Sequence, residues 1–139
     1  EAVRPLARVA SGGELSRIML ALKALTAGAG EVETLVFDEV DAGIGGTVAE
    51  AVGRRLKALA RGRQILCITH LPQIAVHADH HFAVEKRVRR GRTITAAKPL
   101  SADERIAELS RMLGGVVVSG EAERYARRLM QAAQKLAGP

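Results

Sequence analysis

The 139 residues carry 21 Lys and Arg against 15 Asp and Glu, a formal net charge of +6, with 47% apolar residues, four His, one Cys and three aromatic side chains. That apolar share excludes a disordered chain, and a chain of this length buries roughly two-thirds of its unfolded surface, enough for one domain without a disulfide or structural metal. No apolar run approaches the roughly 18 residues of a membrane span, and Glu1-Ala2-Val3-Arg4-Pro5 has neither a signal stretch nor an initiator Met, so a fragment of an intracellular, cytoplasmic protein is expected.

In chain order, Ser11-Gly12-Gly13-Glu14 fits the Ser-x-x-Glu capping box and opens a helix whose apolar stripe is Leu15, Ile18, Met19, Leu22 and Leu25, closing near Gly28. Thr34-Leu35-Val36-Phe37 is a short β-prone run without polar alternation, as expected of a strand covered on both faces, and it ends in Asp38-Glu39. After the turn at Gly43, Gly45 and Gly46, Thr47 to Glu50 forms a second capping box, and Val48, Val52, Leu56 and Leu59 stripe a helix that Arg61-Gly62-Arg63 ends. Gln64 to Thr69 is a second apolar strand containing Cys67, read as a buried small apolar residue, and it stops at His70-Leu71-Pro72. Pro72 opens a short helix through about Ala78.

His81 to Val88 and Arg92 to Ala97 then make a hairpin with a basic tip across Arg89-Arg90-Gly91. Ser101 to Glu104 caps a helix striped by Ile106, Leu109 and Leu113, and beyond Gly114-Gly115 a last helix carries Ala122, Tyr125, Ala126, Leu129, Ala133 and Leu136. This order predicts an α/β layered domain with a largely parallel sheet, flanking helices, a β-hairpin and two C-terminal helices. Polar residues gather after the strand ends, where such sheets bind ligands.

Two carboxylates closing an apolar strand suit a magnesium nucleotide site: Asp38 can hold the hydrated metal and Glu39 can orient or deprotonate an attacking water. Ser11-Gly12-Gly13 before a helix offers a hydroxyl, close backbone approach and unpaired amides at the positive end of the helix dipole, which suit a phosphate. His70 follows the next strand, within reach of the same phosphate if the two strands are neighbours. Each feature has a plainer reading as a cap, a turn or a loop residue. The His77, Asp79, His80, His81 cluster is poorly placed for a metal, since successive residues entering a strand face opposite ways.

Together, Ala10-Ser11-Gly12-Gly13-Glu14-Leu15-Ser16-Arg17, Leu35-Val36-Phe37-Asp38-Glu39-Val40-Asp41-Ala42-Gly43 and Ile68-Thr69-His70-Leu71-Pro72-Gln73 resemble, in order and spacing, the signature, Walker B and switch-histidine motifs of ABC-type ATPases. Their wording resembles the RecN family of bacterial DNA repair proteins, relatives of the structural-maintenance-of-chromosomes (SMC) proteins. The resemblance implies that residues 1–139 are the C-terminal half of a head whose Walker A segment lies elsewhere, because Gly-x-x-x-x-Gly-Lys-Ser/Thr occurs nowhere in these residues. It further implies ATP and Mg2+ as ligands and sandwiching of ATP between two heads. Its partners would be the Walker A segment, a second head and DNA, with no membrane, and its setting the nucleoid.

Carried over by position, Glu39 and His70 become catalytic, Asp38 the metal carboxylate, and Ser11, Gly12, Gly13, Glu14 and Asp41 nucleotide-binding candidates. Many ABC proteins place an interface Asp where this chain has Gly45, which is therefore left out of the set. Two rivals remain: a non-catalytic DNA- or protein-interaction module that uses Lys86 to Arg92, and a transporter nucleotide-binding domain. The transporter would more typically read Leu-Ser-Gly-Gly-Gln and Asp-Glu-Pro.

Overall fold

A computed structural model describes residues 11–25, 34–89, 91–114 and 120–137. The chain divides into two compact units, Glu1–His77 and Ala78–Pro139.

In the first unit, α1 (Gly12–Leu25) starts on the expected capping box. The Ser11 amide donates to Glu14 Oε2 at 2.8 Å and the Glu14 amide to Ser11 Oγ at 3.4 Å, so two otherwise unpaired donors are satisfied reciprocally. The expected closure near Gly28 lies outside the described residues. Strands β1 (Thr34–Phe37) and β2 (Gln64–Cys67) pair in parallel, from Thr34 opposite Gln64 to Phe37 opposite Cys67. Between them α2 (Gly46–Leu59) makes the crossover that a parallel pair requires.

The core gathers Leu20 of α1, Phe37 of β1, Val40, and Ala49, Val52, Leu56 and Leu59 of α2, with Ile74 of α3 (Pro72–Ala75). Leu35, Ile65 and Cys67 pack against it. The alternate residues Val36, Leu66 and Ile68 are exposed, at 63%, 47% and 59%. The expectation of strands covered on both faces is therefore corrected for the described residues. Helix packs on one face only, which the uniformly apolar run could not disclose.

Helix α2 departs from expectation at its start. It begins at Gly46, capped by Gly45 without a side-chain bond, so Thr47 lies inside the first turn and the second capping box does not form. Gly43 and Gly46 take the left-handed backbone (φ +70° and +52°), and this glycine turn, rather than a threonine hydroxyl, starts the helix. Val48 points outward, whereas Ala49 and Gly53 are buried. A side chain at Gly53 would place its Cβ 2.5 Å from His77 Cδ2 and 3.0 Å from the Gln73 carbonyl, so glycine lets α2 close on the turn after α3. Helix α3 opens on Pro72 as expected but stops at Ala75 rather than near Ala78.

In the second unit, β3 (Phe82–Arg89) and β4 (Arg92–Pro99) form an antiparallel two-stranded sheet of their own. Arg89 faces Arg92 across a two-residue turn, and Gly91 supplies its positive φ of 74°. The expected capping box opens α4 (Ala102–Gly114): the Ser101 amide donates to Glu104 Oε2 at 2.9 Å, and Lys98 of β4 pairs with the same carboxylate. Helix α4 packs on α5 (Gly120–Ala137), burying Leu109, Ala126 and Ala133, while the buried Ser110 hydroxyl donates to the Ile106 carbonyl at 2.7 Å.

Candidate active site

The parallel pairing of β1 with β2 sets the site, because it brings both strand C-termini to one edge. The Ile68 amide donates to the Phe37 carbonyl at 2.9 Å, extending the ladder one step to where Asp38 and His70 leave their strands.

Asp38 and Glu39 are exposed at the end of β1. Asp38 Oδ1 accepts the Glu39 amide at 2.9 Å. An exposed carboxylate at a strand end fits a magnesium ion held through its water shell, the usual mode for a metal that dehydrates reluctantly. Among the described residues no group of three His, Cys, Asp or Glu could hold a metal, so no all-protein cage competes with that mode.

Glu39 has a φ of +57°, the one non-glycine residue in the left-handed region among those described. Such backbone costs about 1–3 kcal/mol and persists where surroundings fix it. Here the fixing bonds come from within the turn and from α1. The Ala42 amide donates to the Glu39 carbonyl at 3.0 Å, and Ser16 Oγ to the Asp38 carbonyl at 2.6 Å. Arg17 Nη1 donates to the Val40 and Ala42 carbonyls at 3.3 and 2.8 Å. Helix α1 thus holds the turn after β1 by its backbone oxygens.

Gly12 and Gly13 make that approach possible. A Cβ on Gly13 would fall 2.7 Å from Ala42 Cβ and 2.9 Å from the Glu39 carbonyl, and one on Gly12 would meet the Glu39 carboxylate itself. Ser11 and Glu14 bond chiefly to each other, Ser11 Oγ donating to Glu14 Oε2 at 3.1 Å. These bonds from the Ser11 amide and hydroxyl hold the Glu14 carboxyl below its usual range.

Asp41 lies inward, its side chain 6% exposed, while the His70 ring is 74% exposed. Asp41 Oδ2 accepts from Thr69 Oγ1 at 2.5 Å and from the His70 amide at 2.8 Å, and it lies 2.9 Å from His70 Nδ1 in an ion-pair contact. Burial pushes the Asp41 carboxyl up, but these bonds, led by the Thr69 hydroxyl, outweigh it and hold the group below its ordinary range as a carboxylate. Cys67, close by, has its thiol pushed up to about 11 by burial and by the charges of Asp41 and Asp38, which fits the inert role expected of it.

All eight residues singled out in the sequence lie in this first unit; the turn from Asp38 to Gly46 meets Gly12, Gly13 and His70, while Ser11 and Glu14 bond to each other. Ser16, Arg17 and Thr69 were quoted within motifs but given no task. Their signal was present, since a Ser and an Arg on the first turns of a helix that must sit beside a glycine-rich loop are natural donors to its carbonyls.

No family model matches the chain. Curated relatives do: the DNA repair protein RecN of Bacillus subtilis is 45% identical over 136 residues, 98% of this chain and 24% of that protein. RecN of Xylella fastidiosa is 48% identical over 133 residues (96% and 24%), and RecN of Deinococcus radiodurans 51% over 130 residues (94% and 22%). The chain thus spans about a quarter of the length of these relatives. A structure solved in work on ATP-driven dimerization and DNA-stimulated activation of SMC ATPases superposes with a TM-score of 0.57 at 17% identity, covering 84% of this chain and 70% of that one. The fold is that of an SMC ATPase head.

Proposed function

We infer that this chain, a RecN-type segment by sequence, is the C-terminal part of an ABC-type ATPase head that binds and hydrolyses ATP at a head-to-head interface in DNA break repair. The observation that carries this reading is the single turn from Asp38 to Gly46, which α1 grips by its carbonyls and which carries Glu39 beside Gly12 and Asp41 beside His70.

In that reading the start of α1, where Ser11, Gly12 and Glu14 are exposed and Gly13 is buried against the turn, faces a γ-phosphate held on the Walker A segment of a second head, where helix amides and the dipole favour an anion. Glu39 orients and polarises the attacking water, and His70 contacts the γ-phosphate as charge develops on it. Asp38 holds magnesium through water, and that ion, when bound, neutralises phosphate charge. The Walker A segment of the same head is the partner proposed for the open face of Val36, Leu66 and Ile68, whose apolar area needs cover. DNA is the proposed partner of the assembled protein at the nucleoid, where phosphates could meet the basic hairpin.

Glu39→Gln in the complete head keeps the side chain's shape and removes its basicity. Turnover should fall by about 10²–10⁴-fold with ATP binding retained. Wild-type turnover in that variant would refute the assignment.

A further inference from the structure

We propose that Asp41 is the positioning residue of His70: it fixes the imidazole with its proton on Nδ1 and so leaves Nε2 as the nitrogen that meets the substrate. This deepens the ATPase reading and rests on it for the identity of that substrate, but the arrangement itself is geometric.

Two hydrogen-bond donors and a ring nitrogen in ion-pair contact converge on one carboxylate oxygen. Thr69 Oγ1, the His70 amide and His70 Nδ1 lie 2.5, 2.8 and 2.9 Å from Asp41 Oδ2. An ionised carboxylate only accepts and repels a lone pair, so the nitrogen 2.9 Å from it is the one favoured to carry the hydrogen, and in a neutral imidazole the other nitrogen then holds the lone pair. Nε2, on an exposed ring, can take a proton from a ligand and donate it back once charged. The backbone bond to His70 and the hydroxyl bond to Thr69 hold the carboxylate from the main chain as well as from the ring. Thr69 Oγ1 also accepts the Leu71 amide at 3.0 Å, tying the segment that leads into α3. Asp41 is itself held: the Ile44 amide donates to its carbonyl at 3.3 Å, and Arg17 grips the carbonyls on either side, at Val40 and Ala42. A line of contacts therefore runs from α1 through the Asp38–Gly46 turn to the His70 ring, so a shift of α1 would reach the imidazole through Asp41.

Histidine-selective nitrogen NMR on this chain reads the proton's place directly. Wild-type His70, in its neutral form, should show a protonated Nδ1 and a lone-pair Nε2. Asp41→Ala should lose that form, Asp41→Asn, whose amide oxygen can occupy the same position, should restore it, and Thr69→Val should leave it in place. A wild-type ring protonated on Nε2, or an Asp41→Ala ring unchanged from wild type, would overturn the proposal. If the alanine variant does not fold, the wild-type and asparagine spectra still decide it. In the complete head, Asp41→Ala should lower kcat by about 10²-fold with little change in KM, the scale of losing one aligned transition-state contact. Added to His70→Ala it should cost nothing further, because the two act as one unit. Turnover lost in Glu39→Gln but unchanged in Asp41→Ala would sink the positioning role alone. Turnover indifferent to both Glu39→Gln and His70→Ala would sink the ATPase reading while the NMR result stood.

Discussion

Gly13 shows how a single residue can decide whether the site exists. Its missing side chain is what lets α1 come within contact of the Asp38–Gly46 turn, where an added Cβ would meet Ala42 Cβ at 2.7 Å and two backbone oxygens at 2.9 and 3.2 Å. Backbone cannot swing aside as a long side chain can, so Gly13→Ala should destabilise the first unit by about 1–3 kcal/mol, the usual cost of overpacking. Urea denaturation measures this, and a variant as stable as wild type would show that the turn can withdraw freely. Arg17→Ala tests the same contact from its polar side. Loss of two carbonyl partners should release Glu39 from its left-handed backbone and lower turnover in the complete head while ATP binding persists. Gly12→Ala should matter less to stability, since the atom it would meet is the far end of the Glu39 side chain.

At the scale of elements, the histidine at the end of α3 gives a pH-dependent prediction. His77 is buried against Gly53 of α2, its Nε2 has no hydrogen-bond partner among the described residues, and burial holds its pKa below the ordinary imidazole value. The folded form therefore prefers the neutral ring. As pH falls below about 6.5 the unfolded chain takes up the proton first, so the stability this burial confers is present above that pH and is lost as pH drops toward the lowered pKa. Urea midpoints should fall between pH 7.5 and pH 5.5, and less so in His77→Phe, which keeps the ring and removes the titration. An equal fall in both would contradict the assignment. His81, lowered by burial in the second unit, contributes in the same direction, so the variant removes one contribution of two.

The elements were also where the sequence was most and least informative. Capping boxes at Ser11 and Ser101 were legible because a short polar side chain three residues before a Glu has few other uses at a helix start, and both form. The box at Thr47 was misleading because Gly45 and Gly46, immediately before it, start the helix two residues sooner. Apolar strands were found, but which face each strand buries is set by what packs on it, and that information is not carried by a four-residue run. Within the site, the eight residues could be picked out from their motifs, whereas the inward turn of Asp41 toward His70 could not. Nothing in the spacing of positions 41 and 70 reports that β1 and β2 are neighbours in register.

At the scale of the whole molecule, the chain carries segments that resemble signature, Walker B and switch-histidine motifs, and no Gly-x-x-x-x-Gly-Lys-Ser/Thr segment beside them. It also leaves Val36, Leu66 and Ile68 of the sheet, and Ile18, Met19 and Leu22 of α1, exposed to solvent. The missing loop and the open apolar surface are two consequences of one proposed division, in which the Walker A segment supplies both the phosphate grip and the cover for the sheet. No helix among the described residues is long and apolar enough to cross a membrane, so these faces are not part of a spanning helix.

The proposed division is tested most directly by ATP hydrolysis, measured for this chain alone and after mixing with the Walker A segment of the same head, with Glu39→Gln run alongside. Activity should be absent from the chain alone, present in the mixture, and lost again when the mixture contains Glu39→Gln. Hydrolysis by the chain alone, or a mixture as active with Glu39→Gln as without it, would contradict the account, and a mixture silent in every form would favour an interaction module built on the same lobe.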